Sequence, residues 1–493
     1  MRHIPRTQVV VVGGGPVGML LAAELGAHGV GTVVFETGAA TVELPKAGTL
    51  HARSVQQLAR RGYPMPGPVG SGPVSVPFHF AGMPGLTITG PADEPEPLLK
   101  RTQAALEADF ETRARERGVT VLRGHQVRGV RQTADSVEVT AEGPDGPVTC
   151  TADYAVGADG ARSTVRESAG FDADTHPATV SALMGLVRFD APGDVPVGWQ
   201  RTERGWTVCK VSPDGYGRCL TLDCSGPRAD RNTPLTLDEL RAEASRIAGY
   251  DIPMSEARFM SRFSDFSRLV RHYRKGRVFL AGDSAHVHFP VGGQGLSVGI
   301  QDAFNLSWKL AHTLHGTAGP GLLDTYDAER RPAAQRVIDN TRAQLVLMRP
   351  DPALDPLREL FTELMTLDQV STLIGDMVSD QETVYPRRTG AESVWEGTFL
   401  PNLRLTTPEG ARDVIGLLGA DRPLLLVFDG DGATHRKAAA PWAGVVRTVT
   451  AAPEPVLAGT SVLVRPDGYV GWASDGGDLA DALRLWFGEP APE

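Results

Sequence analysis

The sequence predicts an α/β protein in which a doubly wound, parallel-sheet domain is interleaved with an antiparallel-sheet domain and followed by a further small domain. Three observations carry this. A short apolar strand at residues 9–12 runs into Gly13-Gly-Gly-Pro-Val-Gly18 and then a helical pattern, the order of a parallel strand–turn–helix unit. A second such unit lies far down the chain: Val278 to Ala281 make a buried strand, Asp283 follows, and a glycine-rich loop opens a helix at about residue 296. Between them, residues 174–261 alternate apolar and polar with period two, as half-buried antiparallel strands do. The parallel unit is therefore split by an insertion.

The chain has 493 residues, more than one hydrophobic core serves. Its formal charge of −10 argues against a nucleic-acid partner, which wants a basic face. Four cysteines (Cys150, Cys209, Cys219, Cys224) offer no disulfide framework, zinc spacing or Cys-x-x-Cys pair, so no metal is expected. The charged start leads into a short apolar run ending in glycines, unlike a signal peptide, and no apolar stretch nears the ~20 residues of a membrane span. A cytoplasmic enzyme, with no membrane partner, is expected.

Taken in order, Gly13, Gly15 and Gly18 fit G-x-G-x-x-G in its proper context. Gly13 makes the turn, Gly15 admits a pyrophosphate, Gly18 lets helix and strand pack closely, and Pro16 and Val17 open the helix. The second strand, residues 32–35, ends in Glu36, about 20 residues beyond the glycines, where an acid accepts hydrogen bonds from a ribose. A helix over residues 54–61 follows, then Pro/Gly-rich sequence with short alternating pieces at 74–76 and 78–80. Residues 103–118 are helical, with Leu106, Phe110 and Ala114 on one face, and 121–127, 136–141 and 148–152 read as a hairpin ladder. A buried strand then ends in Asp159-Gly160 before a helix start. The middle domain carries strands at 181–189, 205–211 and 218–224 and a helix near 237–248. Asp283 stands at a strand's carboxyl end, where open α/β sheets bind ligands, and Gly292, Gly293 and Gly295 expose backbone N–H groups before the positive end of a helix. Helical sequence runs on from residue 326 to about 381. Arg465-Pro-Asp-Gly468 marks a hairpin in the tail, and residues 478–487 close it as a helix.

Gly-Arg-Val-Phe-Leu-Ala-Gly-Asp-Ser-Ala-His286 with Pro290-Val-Gly-Gly-Gln-Gly-Leu296 and Gln-Asp-Ala-Phe-Asn-Leu306 resembles the single-component FAD-dependent aromatic hydroxylases. The resemblance implies FAD on Asp283 through its ribityl chain, with Gly293, Gln294, Gly295 and Leu296 facing the pyrimidine and Pro290 over the flavin edge. It further implies Arg53 near the pyrophosphate, Gln103 at the ribityl or phosphate region, the backbone of Val127 at the adenine, and Asp159 serving both FAD and NADPH. Lys46 stands where the family has Arg, and Ser297 where it commonly has Asn. Catalytic candidates are Pro290 and His286, with His288 as a further acid–base group. Phe80, Trp206, Tyr216 and Phe289 are aromatic candidates for a substrate pocket.

The family's chemistry activates dioxygen at reduced flavin as a C4a-hydroperoxide; the protein supplies position, electrostatics and dryness. A single glycine fingerprint implies that NADPH lacks its own domain. The tail resembles the thioredoxin-like domain of the polyketide-hydroxylase branch, without cysteines. The expected function is therefore NAD(P)H-dependent hydroxylation of a polycyclic aromatic polyketide. Baeyer–Villiger or ring-opening oxygenation is the alternative on the same scaffold, and a non-catalytic flavoprotein scaffold the reading from another class. Expected domains are a Rossmann-type FAD-binding part at 1–173 (with 70–100 lending strands to the substrate domain), a substrate domain at 174–261, the final FAD part at 262–340, a helical return at 341–389 and the tail at 390–493. The expected partners are the aromatic substrate, NADPH and O2, in a monomer or homodimer.

Overall fold

A computed structural model describes residues 2–43, 48–65, 72–228, 233–419, 422–428 and 432–490. Its largest sheet is built on Arg2–Val12, which pairs in parallel with Thr32–Glu36 on one side and Gly146–Gly157 on the other. Val278–Leu280 extends it beyond Gly146–Gly157, and Thr120–Arg123 beyond Thr32–Glu36, both in parallel. Strands from sequence regions over a hundred residues apart thus end at one edge, and Val9, Val10, Val11, Val156 and Phe279 are sealed between helix layers. The expected ladder at 121–127 divides at Gly124 (φ +70°). Thr120–Arg123 joins the parallel sheet, while Gln126–Gln132 and Val137–Gly143 fold back antiparallel onto Gly146–Gly157.

The inserted domain is a five-stranded antiparallel sheet in the order Gly198–Thr202, Gly205–Val211, Tyr216–Asp223, Ser181–Phe189, Met254–Ser264. One face is covered by the helix Leu237–Ala248, with Leu240 and Ala244 against Leu183, Val187 and Cys219. The other face meets the hairpin Val74–Phe80/Met83–Gly90, which forms its own two-stranded sheet, and the helices Asp324–Met348, Asp355–Leu364 and Asp368–Val378. Trp206, Phe80, Ile88, Phe289 and Met348 share that second core.

In the tail, Leu424–Phe428 pairs in parallel with Arg447–Ala451 and antiparallel with Val462–Val464, which pairs antiparallel with Val470–Ala473. Helix Leu479–Phe487 packs Leu483 and Trp486 against it. No helix among the described residues is long and apolar enough to cross a membrane.

Candidate active site

The glycine turn shows what each glycine is for. Gly13 has φ +105°, and a Cβ there would stand 2.3 Å from the Ala158 carbonyl oxygen. A Cβ on Gly18 would fall 2.0 Å from the Gly13 oxygen, so only glycine lets the helix Pro16–Ala27 start so close to the sheet. Over Gly15 a Cβ would meet nothing within 4 Å. Open backbone therefore faces the helix start, which has no side-chain cap and begins with Pro16, a residue with no N–H to leave unpaired. Glu36 accepts from the Gly14 and Gly38 amides at 2.6 Å each, one per oxygen, and each oxygen keeps a lone pair for a further donor. Asp159 accepts from the Ser163 hydroxyl and the Val165 amide at the start of the helix Thr164–Ser168, whose cap is Ser163. Burial raises its pKa against those hydrogen bonds. Val17 packs on Gly282 and Gly299, joining the first helix to the second unit.

At that second unit, Asp283 is exposed and has no hydrogen-bond partner among the described residues. The Gly282 amide before it is fixed on Asp302 (3.0 Å). Gly292 and Gly293 take φ +78° and +68° and lead into the helix Gly295–Leu314, whose start again lacks a side-chain cap. Gln294 is buried: its Oε1 accepts from Asn340 at 2.9 Å and its Nε2 donates to the Met377 carbonyl at 3.4 Å. Leu296 is half-buried. Ser297 is committed elsewhere, accepting at Oγ from the His51 amide (3.0 Å) and at its carbonyl from the Ser54 hydroxyl (2.9 Å). His51 bonds the Gly292 carbonyl through Nε2 (2.7 Å), and burial lowers its pKa to about 4, so it is neutral. His288, its pKa also lowered by burial, bonds the Phe289 carbonyl. Two uncapped helix starts, a bare glycine turn and an unpartnered carboxylate between them fit a flavin dinucleotide.

Beside Pro290 and Gly293 lies a cavity of about 590 Å³, lined further by Thr49, Phe78, His79, Lys100 and Trp199. Of the aromatic candidates, Phe80, Trp206 and Phe289 lie behind this lining in the second core. Trp206 donates its indole N–H to the Met348 carbonyl (2.6 Å), and Trp199 stands edge-on to it. Phe80 stacks on Phe361. Tyr216 is misplaced: it sits at the far end of its strand with Arg258 over its ring and its hydroxyl on Glu256. The residues missed are Phe78 and His79. A register shift between them breaks the alternation of Val74–Phe80 and turns both toward the cavity. The sequence signal is three aromatic rings in succession, Phe78-His-Phe80, where a plain strand alternates.

Other candidates fare unequally. Arg53 departs from expectation. Its guanidinium donates to the Asp380 and Gln381 carbonyls and to Gln56, and stacks on Phe399, so it ties the helix Ala52–Arg60 to the tail instead of facing a pyrophosphate. His286 is buried on Asp302 (2.9 Å), which Arg330 also grips (2.8 Å), so it holds the loop and does not line the cavity. Burial would raise the Asp302 carboxyl, yet Arg330 and His286 hold it below the ordinary carboxylate range. Gln103 opens its helix beside the cap Thr102. Val127 follows His125, whose amide donates to the Glu36 carbonyl (2.9 Å), so its strand runs past Glu36. Lys46 lies outside the described residues. No group of three His, Cys, Asp or Glu among the described residues could hold a metal ion.

A family model for an FAD binding domain matches residues 6–341, and one for the aromatic-ring hydroxylase C-terminal region matches residues 393–490. The chain belongs to the FAD-dependent aromatic-ring hydroxylases. Several of its near relatives are named monooxygenases. A 12-dehydrotetracycline 5-monooxygenase/anhydrotetracycline 6-monooxygenase of Streptomyces rimosus subsp. rimosus is 39% identical, over 99% of this chain and 100% of its own. An aromatic hydroxylase from angucycline biosynthesis is 37% identical with a TM-score of 0.90, covering 99% of this chain and 100% of its own. A dialkyldecalin synthase of Streptomyces rugosporus is 38% identical over 98% and 99%. As an aromatic-ring hydroxylase, the chain has its FAD match ending inside the helix Asp324–Met348.

Proposed function

We propose that this chain hydroxylates a polycyclic aromatic polyketide, using FAD, NADPH and O2. The observation that carries this is the cavity that Pro290 and Gly293 line together with the rings of Phe78, His79 and Trp199. Such a slot takes a flat aromatic body against the flavin edge, and bound FAD supplies the activation of dioxygen. Asp283 would hold the ribityl hydroxyls, Glu36 the ribose, Gly15 the pyrophosphate, and the amides of Gly293 to Leu296 the pyrimidine. The positive end of the Gly295–Leu314 helix favours negative charge there. With a flat substrate bound, Pro290 and the rings would cover the reacting face.

The tail's strand order, second-first-third-fourth with the first two parallel, supports a thioredoxin-like domain. The domain division at 173, 261, 340 and 389, a cytoplasmic location and a monomer or homodimer complete the proposal.

Incubating the FAD-loaded protein with NADPH and a panel of polycyclic phenols, read by mass, tests it. NADPH consumption with a product one oxygen heavier is expected; no oxygen gain with any of them overturns it. The dialkyldecalin synthase relative favours a second reading, ring formation without net oxidation, which would give an isomeric product and no NADPH use. Baeyer–Villiger or ring-opening oxygenation would show in where labelled oxygen lands.

A further inference from the structure

The cavity wall carries a lysine and no carboxylate among the described residues; its polar side chains are Thr49, His79 and Lys100. Lys100 stands opposite Thr49 in the pairing of Thr49–His51 with Leu98–Lys100 and gives one N–H to the Thr49 hydroxyl (3.0 Å). Two N–H bonds of the ammonium remain for a ligand. His79 is clamped between rings, stacked on Phe78 at 4.8 Å and tilted against Trp199 at 4.8 Å. Its Nδ1 is buried without a hydrogen-bond partner. A buried lone pair is left unmade more readily than a buried N–H, which places the ring proton on Nε2. Burial, and then the nearby Lys100 charge, lower the His79 pKa to about 4, so the ring is a neutral donor.

We propose that His79 and Lys100 are the specificity-determining pair of this cavity, holding an acceptor oxygen on the edge of a planar polycyclic ligand, the carbonyl or ionised hydroxyl of a hydroxyquinone. The proposal rests on the aromatic-hydroxylation reading and names which substrates it favours. Ring stacking on Phe78 and Trp199 accepts any flat body; the two donors choose among such bodies by what their edges offer. A ligand edge of N–H donors would face N–H donors and gain nothing from them.

The test uses the FAD-loaded full chain without NADPH, titrated with 2-hydroxyanthraquinone and read by difference absorbance. His79→Phe keeps a ring in the stack and removes the donor; Lys100→Met keeps the stem and removes the charge. Each is expected to weaken binding about tenfold, and Lys100→Arg to stay within about threefold of the natural chain. Binding of 2-aminoanthracene, which offers donors instead, should be unchanged in all three. A red-shifted bound band identifies the ionised hydroxyl as the group held and an unshifted band the carbonyl; either supports the pair. The proposal is overturned if both variants bind 2-hydroxyanthraquinone within about twofold of the natural chain. It is equally overturned if they lose both probes alike, since that marks a merely structural role. No turnover is read, so failure here leaves the oxygenation reading standing, and product mass tests that separately.

Discussion

Asp283 and Asp159 are both acids at strand ends, yet their surroundings separate them. Asp159 is occupied by Ser163 and Val165, whereas Asp283 is exposed and has no partner among the described residues. A ligand's hydroxyls can therefore gain more from Asp283. Replacing Asp283 by Ala is predicted to weaken FAD binding by about 1–3 kcal/mol, measured by flavin fluorescence on dilution. Unchanged affinity would show that the ribityl chain lies elsewhere. The same comparison bears on Gly15. Its Cβ position is open, so Gly15→Ala should fold as the natural chain does while losing FAD affinity, because the methyl would occupy the space a pyrophosphate needs. Thermal unfolding of the apoprotein and flavin titration separate the two effects.

At the scale of elements, buried amides connect the glycine loop to the cavity. Gln294 accepts from Asn340, Gln344 donates to Asn340 (3.3 Å), and Gln344 accepts from the Ala81 amide (3.0 Å). Ala81 has φ +51°, unusual for a residue with a side chain, and precedes Gly82 on the cavity wall. Gln344→Met is predicted to leave the Ala81 N–H buried and unpaired, costing about 1–3 kcal/mol in urea unfolding. Much of this scale is legible in the sequence. The glycine fingerprint, Glu36, the Asp283 strand end and the period-two stretch announce themselves because local pattern and backbone geometry coincide there. Arg53 and Tyr216 were not legible, since a side chain's direction is decided by partners distant in sequence: Gln381 and Phe399 for the first, Arg258 for the second. Phe78 and His79 escaped for a related reason. A register shift, which pattern-reading assumes absent, chooses the faces they show.

For the whole molecule, the decisive junction joins the cofactor unit to the tail. Arg465 donates to both Glu329 oxygens (2.7 and 2.8 Å) and to Asp467; Lys309 donates to Glu329 (2.7 Å) and to Asn305. All four ionisable groups are buried, and burial brings the Lys309 ammonium down to about 7. Burial alone would raise the Glu329 carboxyl, but Arg465 and Lys309 bring it down to about 2 from an ordinary 4.5. An acid with a depressed folded value stabilises the fold above its unfolded value and loses that contribution as pH falls through the folded one. Stability is therefore predicted to drop by about 3 kcal/mol between about pH 4.5 and about pH 2, read by urea unfolding across that range. Ending the chain at Thr389 would also strip Phe399 from Arg53 and Arg60. Such a chain should be insoluble or unfold without cooperativity. The tail has no cysteine, so it holds no thiol for disulfide exchange.

This junction also sets an order of events in the cell. A ribosome makes the chain from the amino end, so Glu329 and Lys309 emerge long before Arg465 and Asp467 exist to meet them. Until then Glu329 has Lys309 and Asn305 but lacks the Arg465 guanidinium that bonds both its oxygens. The helices Gly295–Leu314 and Asp324–Met348 are thus predicted to reach full stability only after residue 465 has been made. Nascent chains halted before residue 465 should remain open to protease within residues 324–348 even with excess FAD, and the released protein should not.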